Sequence, residues 1–124
     1  MTIDYEIDHV QIAIPAGGEV EGRAFFGTLL GLKELPKPPE NQKRGGCWFA
    51  AGSQQLHLGV DPDFRAAHKA HIGLKTNALD EVRSLLERAG YIIVSGNDVD
   101  GRRRFFTDDP FGNRIEFMDR TARI

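Results

Sequence analysis

His9-Val10-Gln11-Ile12-Ala13-Ile14-Pro15 and His71-Ile72-Gly73-Leu74-Lys75-Thr76-Asn77 read as one strand used twice. Each stretch opens on a histidine and is followed by a helical pattern that closes on a glycine. The first closes at Leu29-Leu30-Gly31-Leu32, the second at Arg88-Ala89-Gly90-Tyr91. Late in each half a further strand-like run carries another potential ligand. These are His57 in Gln55-Leu56-His57-Leu58 and Glu116 in Arg114-Ile115-Glu116-Phe117, about sixty residues apart like the other equivalent positions. Two copies of one unit, each with two ligand-type residues on strands, point to a metal site between the copies.

Working outward, residues 7–14 alternate as a strand, with Val10, Ile12 and Ile14 on one face and His9, Gln11 and Ala13 on the other. Val20, Ala24, Phe25, Leu29 and Leu30 give a helical stripe, with Gly31 as its C-cap. A short strand at 32–35, a proline-rich polar loop from Pro36 to Lys43, and strands at 47–51 and 54–60 complete the first unit. Asp61 to Lys69 joins the halves. The second unit has a strand at 71–75, Asn77 as an N-cap, and a helix carrying Leu79, Val82, Leu85 and Leu86 and ending at Gly90. Strands at 91–95, 102–107 and 113–118 follow, with Asp109-Pro110-Phe111-Gly112-Asn113 as the last hairpin turn. In every ligand-bearing strand the continuous apolar face is the one without the ligand. Helices should pack on that face. The opposite face then forms a concave surface holding His9, His57, His71 and Glu116 beside small residues such as Gly59 and Gly73, the composition of a cavity.

Bulk properties narrow the function. A chain of 124 residues is a usual size for one domain, 1–124, whereas half of it alone would be marginal. The two modules, 5–61 and 69–120, are therefore expected to share a core or pair with another chain. A formal net charge of −2 argues against nucleic-acid binding driven by phosphates, and Arg102-Arg103-Arg104 is too short for a nucleic-acid arm. Cys47 is the sole cysteine, which excludes an intrachain disulfide. The acidic start Met1-Thr2-Ile3-Asp4-Tyr5-Glu6 lacks a signal-peptide core, and no apolar run approaches membrane-spanning length. The expectation is a cytoplasmic protein with no membrane partner.

These residues carry a resemblance to the vicinal oxygen chelate superfamily, which includes glyoxalase I, fosfomycin-resistance thiol transferases, extradiol dioxygenases and bleomycin-binding proteins. The most specific motif is Arg104-Phe105-Phe106-Thr107-Asp108-Asp109-Pro110-Phe111-Gly112-Asn113-Arg114-Ile115-Glu116-Phe117, and the opening Asp8-His9-Val10 fits as well. The resemblance covers nearly the whole chain. It implies an α+β fold of two βαβββ modules forming a cupped mixed sheet, and often a homodimer. Family ligands lie on the first and last strands of each module, which carries the metal role to His9, His57, His71 and Glu116. Glyoxalase I usually has Glu at the position of His57. The His-His-Glu triad of the dioxygenases and fosfomycin enzymes maps to His9, His71 and Glu116, leaving His57 as a fourth ligand, a base beyond the ligand shell or a substrate contact. The chain is shorter than the usual extradiol dioxygenase.

Three imidazoles and a carboxylate suit Zn, Ni, Co, Fe or Mn as divalent ions better than Ca²⁺ or Mg²⁺. Such an ion binds two neighbouring substrate oxygens and polarises them. Glu116, or His57 if not ligated, is then the candidate proton shuttle. Trp48, Arg44, Arg104, Phe106 and Lys69 are candidate contacts to a small-molecule substrate, an arginine pairing with a carboxylate or phosphonate. The expected function is a metal-dependent lyase or isomerase, thiol transferase or dioxygenase. The alternative is a metal-free protein that sequesters a small molecule, as bleomycin-binding relatives do.

Overall fold

The computed structural model describes residues 1–123, and Ile124 lies outside them. The chain divides into two compact units, Met1–Arg65 and Ala66–Ile124.

The first unit holds a four-stranded mixed sheet in the order β1-β4-β3-β2. Its strands are β1 (His9–Ile14), β2 (Glu34–Leu35), β3 (Cys47–Ala51) and β4 (Gln54–Val60). β1 runs parallel to β4, and β3 antiparallel to it. The alternation read from the sequence holds: Ile14, Cys47, Phe49, Leu56 and Leu58 are buried on one face. Val10, at the exposed start of β1, is 38% exposed, so the apolar face of that strand closes only toward its end.

The covering helix departs from the expected stripe. It begins as α1 (Glu19–Gly22) and continues as a π-helical segment, Arg23–Leu29. Val20 stays 77% exposed, while the adjacent Phe25 and Phe26 are both buried. The wider π turn changes which residues share a face, so a 3.6-residue period selects the wrong stripe here. Phe25 and Phe26 pack edge to face at 4.8 Å, and Phe26 continues onto Phe49. Gly31 closes the helix at φ +79°, as its capping position requires. The expected loop from Pro36 to Lys43 contains a turn of helix, α2 (Pro39–Gln42), started by proline at its first position.

The second unit repeats the plan, with strand order β5-β8-β7-β6. Its strands are β5 (Ile72–Thr76), β6 (Val94–Ser95), β7 (Arg104–Asp108) and β8 (Arg114–Asp119), covered by α3 (Leu79–Arg88). β5 is parallel to β8, and β7 is antiparallel to it. Leu79, Leu86, Phe105, Ile115 and Phe117 form the core of this unit, with Thr107 buried beside them. Leu85, expected inside, is 37% exposed. The N-cap of α3 is Ala78, not Asn77. Thr76 Oγ1 accepts the Ala78 N–H at 3.1 Å, closing a turn ahead of the helix, whose N-terminus has no side-chain cap. The structure thus has the α+β architecture of two βαβββ modules, each built on its own mixed sheet.

Candidate functional site

Strand register makes the repeat a matter of geometry. In the first module Gln11 and Trp48 flank His57 on neighbouring strands. In the second, Gly73 and Phe106 flank Glu116 in the same way. His57 and Glu116 are therefore equivalent, as are Trp48 and Phe106. His9 and His71 each lie two residues before the flanking residue of their strand.

In the first module His57 is the middle of a three-ring stack. His9 lies on one face at 4.4 Å and 13°, Trp48 on the other at 4.2 Å and 6°. His57 is 5% exposed. Burial, followed by the neighbouring His9, holds its imidazole below the ordinary histidine range, so the neutral ring is favoured. Its Nε2–H donates to Gln55 Oε1 at 2.8 Å, which leaves Nδ1 as the acceptor. His9 donates through Nδ1 to Asp8 Oδ2 at 2.9 Å, leaving Nε2 with a lone pair. The lone pairs of an imidazole lie in its ring plane, so two nearly parallel rings cannot both direct a nitrogen at one cation without a ring rotating. Gly59 makes room for Gln11, whose amide would lie 2.6 Å from a β-carbon at that position.

The second module gathers its polar groups more tightly. His71 ends the joining segment one residue before β5. Its Nδ1 donates to the carbonyl of Lys69 at 2.9 Å, and its Nε2 faces Glu116 Oε1 at 2.9 Å. A backbone carbonyl on one ring nitrogen fixes the tautomer and aims the other, the arrangement that supports metal-binding histidines. Nε2 and Oε1 are thus an imidazole nitrogen and a carboxylate oxygen held side by side, donor types that would suit such a cation. Glu116 is buried, and its Oε2 lies 3.5 Å from the Arg104 guanidinium. Arg104 also donates to the Asn97 carbonyl. The Phe106 ring meets His71 edge-on at 5.8 Å, with the Arg114 guanidinium 4.2 Å over its centre and that of Arg104 at 5.2 Å.

The turn before β8 anchors this arrangement. Asp109 is buried and accepts from the backbone N–H groups of Phe111 and Asn113 and from Asn113 Nδ2. Burial raises its carboxyl above the ordinary aspartate range despite these bonds. Asn113 Oδ1 in turn accepts the Ala67 N–H, and the Arg114 N–H bonds the Ala67 carbonyl. The segment leading to Lys69 and His71 is thereby tied to the turn.

The structure brings Trp48 onto His57, and Arg104 and Phe106 onto Glu116. Lys69 contributes its carbonyl, while the residue itself is exposed. Arg44 is exposed in the turn after α2, and its side chain reaches neither ligand pair among the described residues. Arg114 was not among the expected contacts, although alternation along β8 places it on the same face as Glu116. Among the described residues no three His, Cys, Asp or Glu side chains are grouped to hold a metal ion; the donors come as one pair in each module.

The model of the Glyoxalase/Bleomycin resistance protein/Dioxygenase superfamily matches residues 6–117. A solved glyoxalase family protein from Bacillus anthracis is 43% identical, with a TM-score of 0.91 over 98% of this chain and 99% of that one. A lactoylglutathione lyase from Agrobacterium tumefaciens is 18% identical, with a TM-score of 0.68 over 96% of each chain. A superfamily member from Sphaerobacter thermophilus, 18% identical, gives 0.75 over 94% of this chain and 98% of that one. The last two share the fold alone. No curated protein matches. With the motif, the repeated register and a family match spanning nearly its whole length, the chain belongs to the Glyoxalase/Bleomycin resistance protein/Dioxygenase superfamily.

Proposed function

We propose that this protein is a divalent-metal-dependent enzyme acting on a small molecule with two neighbouring oxygens, of the lyase or isomerase, thiol-transferase or dioxygenase type. The observation that carries the reading is the His71–Glu116 pair, 2.9 Å apart, with His71 aimed by the Lys69 carbonyl. The donor chemistry fits Zn, Ni, Co, Fe or Mn. His71 and Glu116 would hold the cation. His57, bonded to Gln55 and stacked between two rings, would serve as a positioning group within its own module. When bound, such a cation polarises the substrate oxygens.

The chain's own groups have separable tasks. Arg104 lies against Glu116 Oε2 and orients the carboxylate. Oε2, the oxygen turned away from His71, is the atom on which a proton taken from substrate would rest. Phe106 supplies an apolar wall beside the pair. We read the two modules as one domain, 1–124, acting as a homodimer in the cytoplasm. Among the described residues no helix is long and apolar enough to cross a membrane.

The competing reading, a metal-free binding protein, draws on the closed ring stack at His57 and on the lack of a three-donor group among the described residues. Elemental analysis of the untagged protein separates the two. The enzyme reading expects near-stoichiometric metal per chain, lost in a folded His71→Ala variant. Full metal content in that variant removes His71 from the site. No metal even after reloading favours the binding protein.

A further inference from the structure

We propose that the second module carries a subsite for an organic anion with an apolar body, read by Arg114. A cleft of about 530 Å³ opens on this module, lined among others by His68, Tyr91, Ile92, Val94, Phe106 and Arg114. That volume is in the range of small-molecule sites. Its walls present apolar surface left open among the described residues: Ile92 is 78% exposed and Val94 52%.

Arg114 differs from the other arginines around β7 and β8. Arg103 is bonded to Asp119 and Asp80, and Arg104 to Asn97 and Glu116. Arg114 lies over the Phe106 ring and forms no ion pair among the described residues. A cation held over a ring does not spend its N–H groups on hydrogen bonds, and those groups grip a carboxylate or phosphonate two bonds at a time.

Two carboxylates belong to the same cleft. Asp109 is consumed by the turn, where it accepts from Phe111 and Asn113. Asp108, across the ladder from Arg114, is exposed and does not pair with it. The cation is left to a ligand. Because the Phe106 ring touches both Arg114 and His71, the subsite adjoins the proposed reacting end. The substrate class is then a small molecule with vicinal oxygens at one end and an anionic group beyond an apolar body. This extension rests on the proposed function for the reacting end; the anion contact itself needs no metal.

Benzoate and phenylphosphonate serve as probes, with benzamide as the neutral counterpart of benzoate. Binding is followed by NMR on the full chain, both chelator-treated and metal-loaded. Both anions should shift the Arg114 Nε–H and Phe106 ring resonances saturably, in the chelator-treated protein too. Benzamide should bind at least about tenfold more weakly, a difference of about 1.4 kcal/mol. Arg114→Gln should cost the anions a similar factor, and Arg114→Lys should recover part of it. Should Arg114→Gln fail to fold, the wild-type Arg114 resonance and the benzamide comparison decide alone. Equal binding of benzoate and benzamide, an unmoved Arg114 resonance, or absence of anion binding would each overturn the subsite. A protein that never takes up metal yet binds benzoate through Arg114 would sink the metal reading and leave the subsite standing.

Discussion

His71 Nε2 and Glu116 Oε1 lie 2.9 Å apart while the other nitrogen of the same ring is committed to the Lys69 carbonyl. A neutral imidazole that donates through Nδ1 would turn a lone pair on Nε2 toward the carboxylate. Two acceptors do not sit at that distance without a proton or a cation between them. The pair is thus built to share something positive, which under the proposed function is a divalent metal.

The stack in the first module gives an optical prediction. Trp48 is the sole tryptophan, and its ring lies 4.2 Å from that of His57. Its emission should respond to substitution of His57. His57→Ala should also destabilise the fold by about 1–3 kcal/mol, since two ring contacts each contribute about 0.5–1.5 kcal/mol. Urea unfolding followed by tryptophan emission checks both. Unchanged emission and stability would mean the stack does not form in solution.

Asn113 joins the last turn to the segment that carries His71. Asn113→Ala leaves the Ala67 N–H and one Asp109 oxygen without their partners. A loss of about 1–3 kcal/mol is expected, because the Asp109 oxygen is orphaned in a buried place while the exposed Ala67 N–H can turn to water. Metal affinity should fall as well, although Asn113 is no ligand. Chemical denaturation and metal titration on one preparation measure the two effects separately. A stability loss with unaltered affinity would show that the turn does not position His71.

Acid should weaken the second module through Asp119. Bonding from the Arg103 side chain holds its carboxyl below the ordinary value of 3.8. A depressed carboxylate contributes stability that is present above the unfolded value and lost as pH falls through the folded one. Asp119→Asn should therefore flatten the acid limb of a stability–pH curve below about pH 4 while lowering stability at neutral pH. An unchanged acid limb would show that this pair contributes nothing to acid sensitivity.

Much of the fold was readable because strand alternation and capping glycines are local signals. Ile14, Leu56, Phe105 and Phe117 lie inside as their period requires, and Gly31 and Gly90 adopt positive φ. The π segment was not readable. Its period is set by how Phe25 and Phe26 pack, and no single-residue preference announces it. The helical turn at Pro39–Gln42 was hidden by its prolines, which mark loops and helix starts alike. The ligand-type residues were found from the repeat, yet their partners were not. Spacing places His57 on a face; it does not show that Trp48 and His9 close both sides of the ring. Lys69 drew notice for its ammonium and contributes its carbonyl. Arg114 stood on the right face of β8, but that it has no acid partner among the described residues is visible only once the neighbours are in place.

The most direct test is long-range ¹H–¹⁵N NMR on the His71 imidazole of metal-free protein before and after addition of one equivalent of Zn²⁺. Nδ1 should stay protonated on the Lys69 carbonyl while Nε2 moves to a metal-bound shift, and Glu116→Gln should weaken the change. An Nε2 that keeps its proton on Glu116 in the presence of excess Zn²⁺ would contradict the metal site and leave the pair a structural hydrogen bond.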